Sequence, residues 1–119
     1  MNDNPCALDL IPVALLDDNG YPTDEWLAFL KTYQPDHTLP ILSFVNVVLS
    51  DGWYYPDWGF DLHRKYKGKT KFELHTGGWS GNEDIIRAIL SNIHLTHFAM
   101  KYYQWRSGGH YYFEIIDKP

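Results

Sequence analysis

The segment from Thr76 to Glu83 combines residues that can do chemistry with residues that shape the backbone. It reads Thr-Gly-Gly-Trp-Ser-Gly-Asn-Glu, and its consecutive glycines allow backbone angles that a residue with a Cβ would resist. Ser80 and Glu83 have the Ser-x-x-Glu spacing of a capping box, and an apolar helical run follows. A helix start exposes N–H groups and carries partial positive charge, so this segment predicts a turn where an anion or another acceptor can bind.

Ser80 is also a candidate nucleophile, because Gly-Trp-Ser-Gly resembles the nucleophile elbow of hydrolases. That elbow requires Gly-x-Ser-x-Gly, whereas Gly81 here follows the serine directly. A capping role explains Ser80 and Glu83 better than catalysis does. We therefore predict no catalytic residue and favour a binding protein over an enzyme. Asn82, whose amide can both donate and accept hydrogen bonds, is a candidate binding residue.

Two histidines each lie beside a pair of glycines. His75 precedes the turn at residues 76–78, and His110 directly follows Gly108-Gly109. If both turns lie at one end of a sheet, the two imidazoles can approach each other, near Trp79, Arg106 and the carboxylate of Glu114. A histidine beside a carboxylate can act as a general acid or base. A surface pair with a structural or partner-binding role is the alternative, and we favour it.

No metal site and no cofactor are expected from the spacing of potential ligands. Zinc sites usually show closely spaced Cys and His pairs, and His94 and His97 form the one near pair. They have no glutamate between them and do not form the metalloprotease helix motif. The lone cysteine, Cys6, excludes an internal disulfide and favours a reducing compartment.

Aromatic residues make up 17% of the chain and cluster in the loop over residues 51–60. Tryptophan, tyrosine and arginine are enriched at the energetic centres of protein interfaces, which makes Trp58 and Trp105 candidate partner anchors. Packing of the loop against the domain is the alternative. The basic residues around Gly68 are interpreted as a solvated turn.

These residues must be positioned by a few elements, which the hydrophobic pattern outlines. Thr23 is the predicted N-cap of a helix over residues 24–33. Residues 41–50 fit either a buried strand or a helix with a proline at its first turn, and we favour the helix. Residues 82–90 carry the apolar stripe of another helix. Residues 71–75 alternate between apolar and polar, as in a half-buried strand.

The last third of the chain predicts a β-hairpin. Gly108-Gly109 suits a two-residue turn, in which Arg106 faces Tyr111. One face of the hairpin is expected to join the core and the other to stay wet. The core face holds Phe98, Met100, Tyr102, Tyr111, Phe113 and Ile115, and the wet face holds His97, Lys101, Tyr103, Trp105, His110, Tyr112 and Glu114.

The predicted fold class is therefore α+β, as a single globular domain over residues 1–119. A small antiparallel sheet of about three strands, over 70–76, 96–106 and 110–116, is packed on one face by two or three helices. Residues 1–22 show no clear period and are expected to form a short strand or an extended arm.

Composition restricts the classes of function. The formal net charge is −5, which argues against non-specific binding of nucleic acid, because that needs a basic surface. No apolar run approaches the roughly 18 residues of a membrane span, and the acidic N-terminus does not resemble a secretory signal. We expect a cytoplasmic protein with no membrane contact. The oligomeric state stays open.

The motifs over 56–59, 74–86 and 105–111, including Gly-Gly-Trp-Ser-Gly-Asn-Glu and Trp-Arg-Ser-Gly-Gly-His-Tyr, carry a resemblance over residues 44–116. They resemble a group of small, uncharacterised bacteriophage and prophage proteins. The resemblance implies a mobile-element setting and transfers no catalytic residue. If the protein is phage-encoded, the expected compartment is the cytoplasm of the host cell. Small proteins in that setting often bind and block a host or rival protein.

The leading hypothesis is a phage-type binding protein that acts through a protein partner, as an inhibitor of the anti-defence or toxin-immunity type. Its candidate binding residues are Trp58, His75, Trp79, Asn82, Trp105, Arg106 and His110. The alternative is a small-molecule-binding or hydrolytic protein with a pocket at the 76–83 glycine turn. A third hypothesis is purely structural, with Trp79 filling the core between sheet and helix.

Overall fold

The computed structural model describes residues 6–64 and 70–116 and has the predicted α+β class. Helices pack on one face of an antiparallel sheet. The helices are α1 (Asp24–Thr32), α2 (Ile41–Ser43, continuing as the π-helical stretch Phe44–Leu49), α3 (Pro56–Gly59), α4 (Ser80–Ser91) and a π-helical segment, His94–Ala99. A 3-10 turn, Ala7–Leu10, precedes them.

The predicted start of α1 is confirmed in its capping detail. The Thr23 hydroxyl accepts a hydrogen bond from the Trp26 N–H, which satisfies one of the donors that a helix start leaves unpaired. Trp26 and Leu30 are fully buried, so the apolar stripe faces the core. Asn92, just after α4, donates to the carbonyls of Leu30 and Tyr33, which ties the end of α1 to the end of α4.

The ambiguous segment over residues 41–50 is helical, as favoured from the sequence. Pro40 is its N-cap, where a missing N–H costs nothing. Phe44, Val45 and Leu49 are fully buried, and Val48 is nearly so. The β-branched residues that suggested a strand are therefore accommodated by the helical layer of the core.

The predicted small antiparallel sheet is confirmed, and within the described residues it has four strands where about three were expected. The strands are β1 (Phe60–Arg64), β2 (Thr70–His75), β3 (Met100–Arg106) and β4 (His110–Ile115), in the antiparallel order β1-β2-β4-β3. The strand that was missed is β1, in which Phe60 and Leu62 alternate with Asp61 and His63. The turn predicted around Gly68 lies outside the described residues.

The predicted hairpin exists, but its register is wrong. Arg106 pairs with His110 instead of Tyr111, because the connection has three residues, 107–109. A register shift between Tyr102 and Gln104 then pairs Tyr102 with Phe113 and Met100 with Ile115, one residue further from the predicted register. Cross-strand partners share a face, so Trp105, which pairs with Tyr111, is not on the wet face with His110.

The strand predicted to begin at residue 96 begins at Met100. The preceding residues form the π-helical segment, whose Leu95 and Ala99 are buried. Phe98, expected in the core, is 63% exposed, because helical geometry turns it away from the buried side of this segment.

The segment before α1 packs against the domain from residue 6 onward. Ala7 is buried, and its N–H donates to the Asp36 carboxylate at 2.9 Å. A turn follows at Asp17, whose side chain accepts hydrogen bonds from the N–H groups of Asn19 and Tyr21. The described part of this segment is thus a folded element rather than an extended arm.

Alternation along the strands gives the sheet two different faces. The core face carries Phe72, Leu74, Phe113 and Ile115, all buried against the helices. We call the other one the open face; it carries Asp61, His63, Lys71, Glu73, His75, His110, Tyr112 and Glu114.

Candidate functional site

The predicted glycine turn is present at the end of β2. The Trp79 N–H donates to the Thr76 carbonyl at 3.0 Å, which closes a four-residue turn before α4. Gly77 and Gly78 have φ angles of +62° and +75°, in the left-handed region that favours glycine. These two glycines therefore allow the chain to reverse directly from sheet to helix.

The predicted capping box is wrong. Trp79 is the N-cap of α4, no side chain caps its first N–H groups, and Ser80 is already the first helical residue. The Glu83 carboxylate instead accepts a hydrogen bond from the Thr76 hydroxyl, at 3.5 Å. Trp79 therefore occupies the N-cap position that was expected for Ser80. Glu83, instead of capping the helix, links α4 to Thr76 after the end of β2.

Beside this turn lies a cavity of about 360 Å³ with aromatic walls. The ring of Trp79 packs between Tyr21 and Tyr54, with centroids 4.5 and 4.9 Å away, and its indole N–H donates to Gly20. Trp79 is half-buried and outside the core cluster, so it does not fill the core between sheet and helix as the structural hypothesis expected. The cavity lining consists of Tyr54, Tyr55, Trp58, Thr76, Gly77, Gly78, Trp79 and Asn82.

Two rings form the rim of this aromatic pocket. Trp58 is 61% exposed and lies against Gly77, where a Cβ would come within 2.9 Å of the indole. Tyr55 is 67% exposed and has a φ of +57°, which is uncommon for a residue with a side chain. Its ring packs on Tyr54 at 4.3 Å. Such strained backbone tends to occur at functional sites.

Asn82 fixes the pocket wall rather than facing a ligand. Its side chain is buried, accepts a hydrogen bond from the Tyr54 N–H and donates one to the Tyr54 carbonyl, both at 3.1 Å. The aromatic loop before α3 is thereby attached to the first turn of α4. Asn82, which was predicted to be a binding residue, therefore holds Tyr54 in place in the pocket wall.

The two glycine-marked turns meet, as the sequence predicted. The Thr76 N–H donates to the Gly109 carbonyl at 2.9 Å, and a Cβ on Gly109 would overlap the Thr76 hydroxyl. His75 and His110 are paired across β2 and β4, and their Nδ1 atoms lie 2.7 Å apart. The hairpin tip and the glycine turn thus form one end of the sheet.

From this histidine pair, a row of polar side chains crosses the open face. His75 Nε2 lies 3.2 Å from Glu73 Oε1, and His63 Nε2 lies 2.7 Å from Glu73 Oε2. Asp61 lies opposite Glu73 on β1. The ring of Trp58 lies 6.3 Å from that of His75, so the row begins next to the aromatic pocket.

The seven predicted binding residues fall into three groups. Trp58, Trp79 and Asn82 line the aromatic pocket. His75, His110 and Arg106 lie on the open face, where the Arg106 guanidinium is 5.8 Å from the Tyr112 ring. Trp105 is 55% exposed and lies outside the pocket lining.

The further candidate residues that the structure adds lie in the loop before α3, in β1 and in β2. Tyr54 and Tyr55 were recognised as loop aromatics able to stack a ligand or anchor a protein, but were not chosen as candidate binding residues. The polar cluster of Asp61, His63 and Glu73 could be predicted only if β1 was recognised. The sequence signal for β1 was the alternation of Phe60 and Leu62 with polar residues.

Among the described residues, hydrogen bonding and burial clearly shift the pKa of three groups. The hydrogen bond with Tyr55 raises the pKa of the Tyr54 hydroxyl in the pocket wall. Hydrogen bonds, first from the Thr38 side chain and then from the Ala7 N–H, lower the pKa of Asp36. Burial, with the nearby Asp36 charge, raises the pKa of Tyr33.

A larger groove, about 1000 Å³, lies between α1 and the segment before it. Its one aspartate is Asp36, whose oxygens accept hydrogen bonds from Ala7, Thr38 and Leu39. This groove therefore lies where the N-terminal segment packs against α1, and the Asp36 carboxylate in it holds that segment through the Ala7 N–H.

Comparison with protein-family models, with curated proteins and with solved structures finds no match. Within residues 6–64 and 70–116, none of the helices has the length and apolar character needed to cross a bilayer.

Proposed function

We propose that this chain is a binding protein that recognises a protein partner by taking one of its side chains into the aromatic pocket. The pocket itself is the observation that carries this proposal: four rings surround a glycine turn, and two of them stand exposed at the rim. Clustered Trp and Tyr side chains around a small cavity are typical of the energetic centres of interfaces.

The lining favours recognition over chemistry. Among the described residues that form it, none offers a carboxylate, an imidazole or a thiol. The Thr76 hydroxyl donates to Glu83, and both ends of the Asn82 amide bind Tyr54. Groups engaged in this way hold the fold and are poor candidates for an acid, base or nucleophile.

The strain at Tyr55 supports the same proposal. A left-handed backbone conformation costs a tyrosine roughly 1–2 kcal/mol. Because Tyr55 is 67% exposed, burial of its ring offsets only part of that cost in the free domain. A side chain that is strained and exposed at the mouth of a cavity fits a contact made in a complex better than a contact made in the free domain.

Size and charge favour a basic side chain as the occupant. A cavity of about 360 Å³ is near the lower end of the roughly 300–1,000 Å³ of ligand sites, and suits a single side chain. The faces of Trp and Tyr attract guanidinium and ammonium groups. The net charge of −5 favours approach of a basic partner surface. We therefore assign the pocket to an arginine or lysine of the partner.

The resemblance to small phage and prophage proteins supports a mobile-element setting for this interaction. In that setting the partner is a host or rival protein, and binding blocks it, as in anti-defence and toxin-immunity proteins. The cytoplasm is the compartment in which such a partner would be met.

A pair of matched peptides tests the proposal. Short peptides carrying either arginine or its neutral isostere citrulline are titrated into the isotope-labelled chain. The indole N–H resonances of Trp58 and Trp79 should shift more with the arginine peptide, and Trp58→Ala should abolish the response. Trp105→Ala is the control, because Trp105 is similarly exposed but outside the lining. Equal responses to both peptides, or equal losses in both variants, would contradict the proposal.

The second candidate function is small-molecule binding. It is favoured because Tyr54, Trp79 and the glycine turn form walls around the pocket. It predicts that an uncharged planar ring such as indole raises the melting temperature more than the arginine peptide does. The same Trp58→Ala variant should remove that stabilisation.

A further inference from the structure

Two neighbouring strands present three metal-ligating side chains on the open face. Asp61 of β1 lies directly opposite Glu73 of β2, and His75 is two residues further along β2. His75 Nε2 lies 3.2 Å from Glu73 Oε1 and 3.8 Å from Asp61 Oδ2. One ligand atom from each of the three residues lies within 4.8 Å of the other two.

These separations fit a zinc ion. Zinc binds imidazole nitrogen and carboxylate oxygen at about 2.0–2.2 Å in tetrahedral geometry, which places neighbouring ligand atoms about 3.4 Å apart. The distances of 3.2 and 3.8 Å lie on either side of that value. Calcium and magnesium prefer oxygen ligands alone, whereas imidazole favours the later transition metals. We propose that Asp61, Glu73 and His75 bind a zinc ion.

Two further histidines are placed to orient these ligands. His63 Nε2 lies 2.7 Å from the second oxygen of Glu73, and His110 Nδ1 lies 2.7 Å from His75 Nδ1. A metal on His75 Nε2 leaves the proton on Nδ1, which then donates to His110. Metal-binding histidines and carboxylates usually have such outer hydrogen-bond partners, and these fix the tautomer and the ring orientation.

The charges in this cluster also favour a cation. Asp61 and Glu73 are directly opposite each other across the strand pair, and like charges in that arrangement are destabilising. A dication between them converts this repulsion into attraction and links β1 to β2. Three protein ligands leave the fourth coordination position to water, as in zinc sites that remain open on one side.

No metal site was predicted, because the one near pair of potential ligands, His94 and His97, does not form a known metal motif. Asp61 is 12 positions before Glu73, and strand pairing brings the two together. The site depends on residues outside the aromatic pocket, so it stands or falls separately from the proposed partner binding.

Zinc titration of the tag-free chain against a chromophoric chelator tests this site. We expect one zinc per chain in the wild type, and a loss of affinity greater than about 100-fold in Asp61→Ala and in His75→Ala. His110→Gln should keep the stoichiometry and lose about 10- to 100-fold, as expected for an outer partner. Cobalt should give the intense visible absorption of a four-coordinate site.

His97→Ala is the matched control, because His97 is exposed and lies in the π-helical segment, outside the cluster. It should bind zinc like the wild type. Asp61 is 57% exposed, so Asp61→Ala should keep the fold even if His75→Ala does not. Absence of saturable binding, or binding that Asp61→Ala leaves unchanged, would overturn the proposal.

Discussion

Replacing Asn82 with alanine should destabilise the domain and loosen the aromatic pocket at the same time. The Asn82 side chain is 2% exposed and makes two hydrogen bonds of 3.1 Å with the backbone of Tyr54, 28 positions away. Each such bond contributes roughly 0.5–1.5 kcal/mol net. Losing both should lower the free energy of unfolding by about 1–3 kcal/mol, a large part of the 5–15 kcal/mol of a typical domain.

Urea unfolding measures this loss directly. The midpoint should fall while the slope stays unchanged, because the same surface is exposed on unfolding. Asn46→Ala is the matched control: Asn46 is exposed on α2, and its replacement should change stability by less than about 0.5 kcal/mol. The Trp79 indole N–H resonance should also move in Asn82→Ala, because the Tyr54 ring packs 4.9 Å from Trp79.

The reasoning would be refuted if Asn82→Ala were as mild as Asn46→Ala. It would also be refuted if stability fell while the Trp79 resonance and the arginine-peptide response stayed unchanged. In that case Asn82 would support the fold without shaping the pocket.

Three further predictions concern the turn, the rim and the N-terminal segment. Gly77→Ala should displace Trp58 and weaken peptide binding, whereas Gly78→Ala, whose new Cβ meets nothing within 4 Å, should lower only the stability in urea. Tyr55→Asn should leave the urea midpoint equal or higher, because asparagine tolerates the left-handed region, while binding is lost. Asp36 has a lowered pKa, so it stabilises the fold above its unfolded pKa of about 3.9 and loses this contribution in acid. Asp36→Asn should therefore flatten the fall in stability below about pH 4, where the unfolded chain's carboxyl takes up its proton; an unchanged pH profile would contradict this.

The elements that could be predicted are those whose signals are local. Thr23 and the apolar spacing of Trp26 and Leu30 lie within α1 itself, and the alternation from Lys71 to His75 lies within β2. In both cases the period of the side chains matches the face that is buried.

The errors arose where the conformation depends on pairing between distant segments. A two-residue turn at Gly108-Gly109 and a three-residue turn at 107–109 are both compatible with the glycines, and the register shift near Gln104 cannot be read from the pattern. One residue of slip moves Trp105 to the other face. The same kind of ambiguity hid β1, whose alternating residues directly follow an aromatic loop.

The candidate site was predictable in position but not in composition. Glycines beside His75 and His110 marked the two turns that meet, and this feature is confirmed. The two hydrogen bonds between Asn82 and the Tyr54 backbone could not be predicted, because no local sequence signal in either segment indicates that the two segments meet. The role expected for Ser80 failed since α4 begins at that residue rather than after it.

The most direct test of the central claim is site-specific photo-cross-linking in host cells. A benzophenone amino acid replaces Tyr55 at the pocket rim, and in a control it replaces Phe98, which is 63% exposed and outside the pocket lining. Partner recognition through the pocket predicts one discrete protein adduct from position 55, lost when Trp58→Ala is added, and no such adduct from position 98. The absence of an adduct from position 55, or the same adduct from both positions, would contradict it.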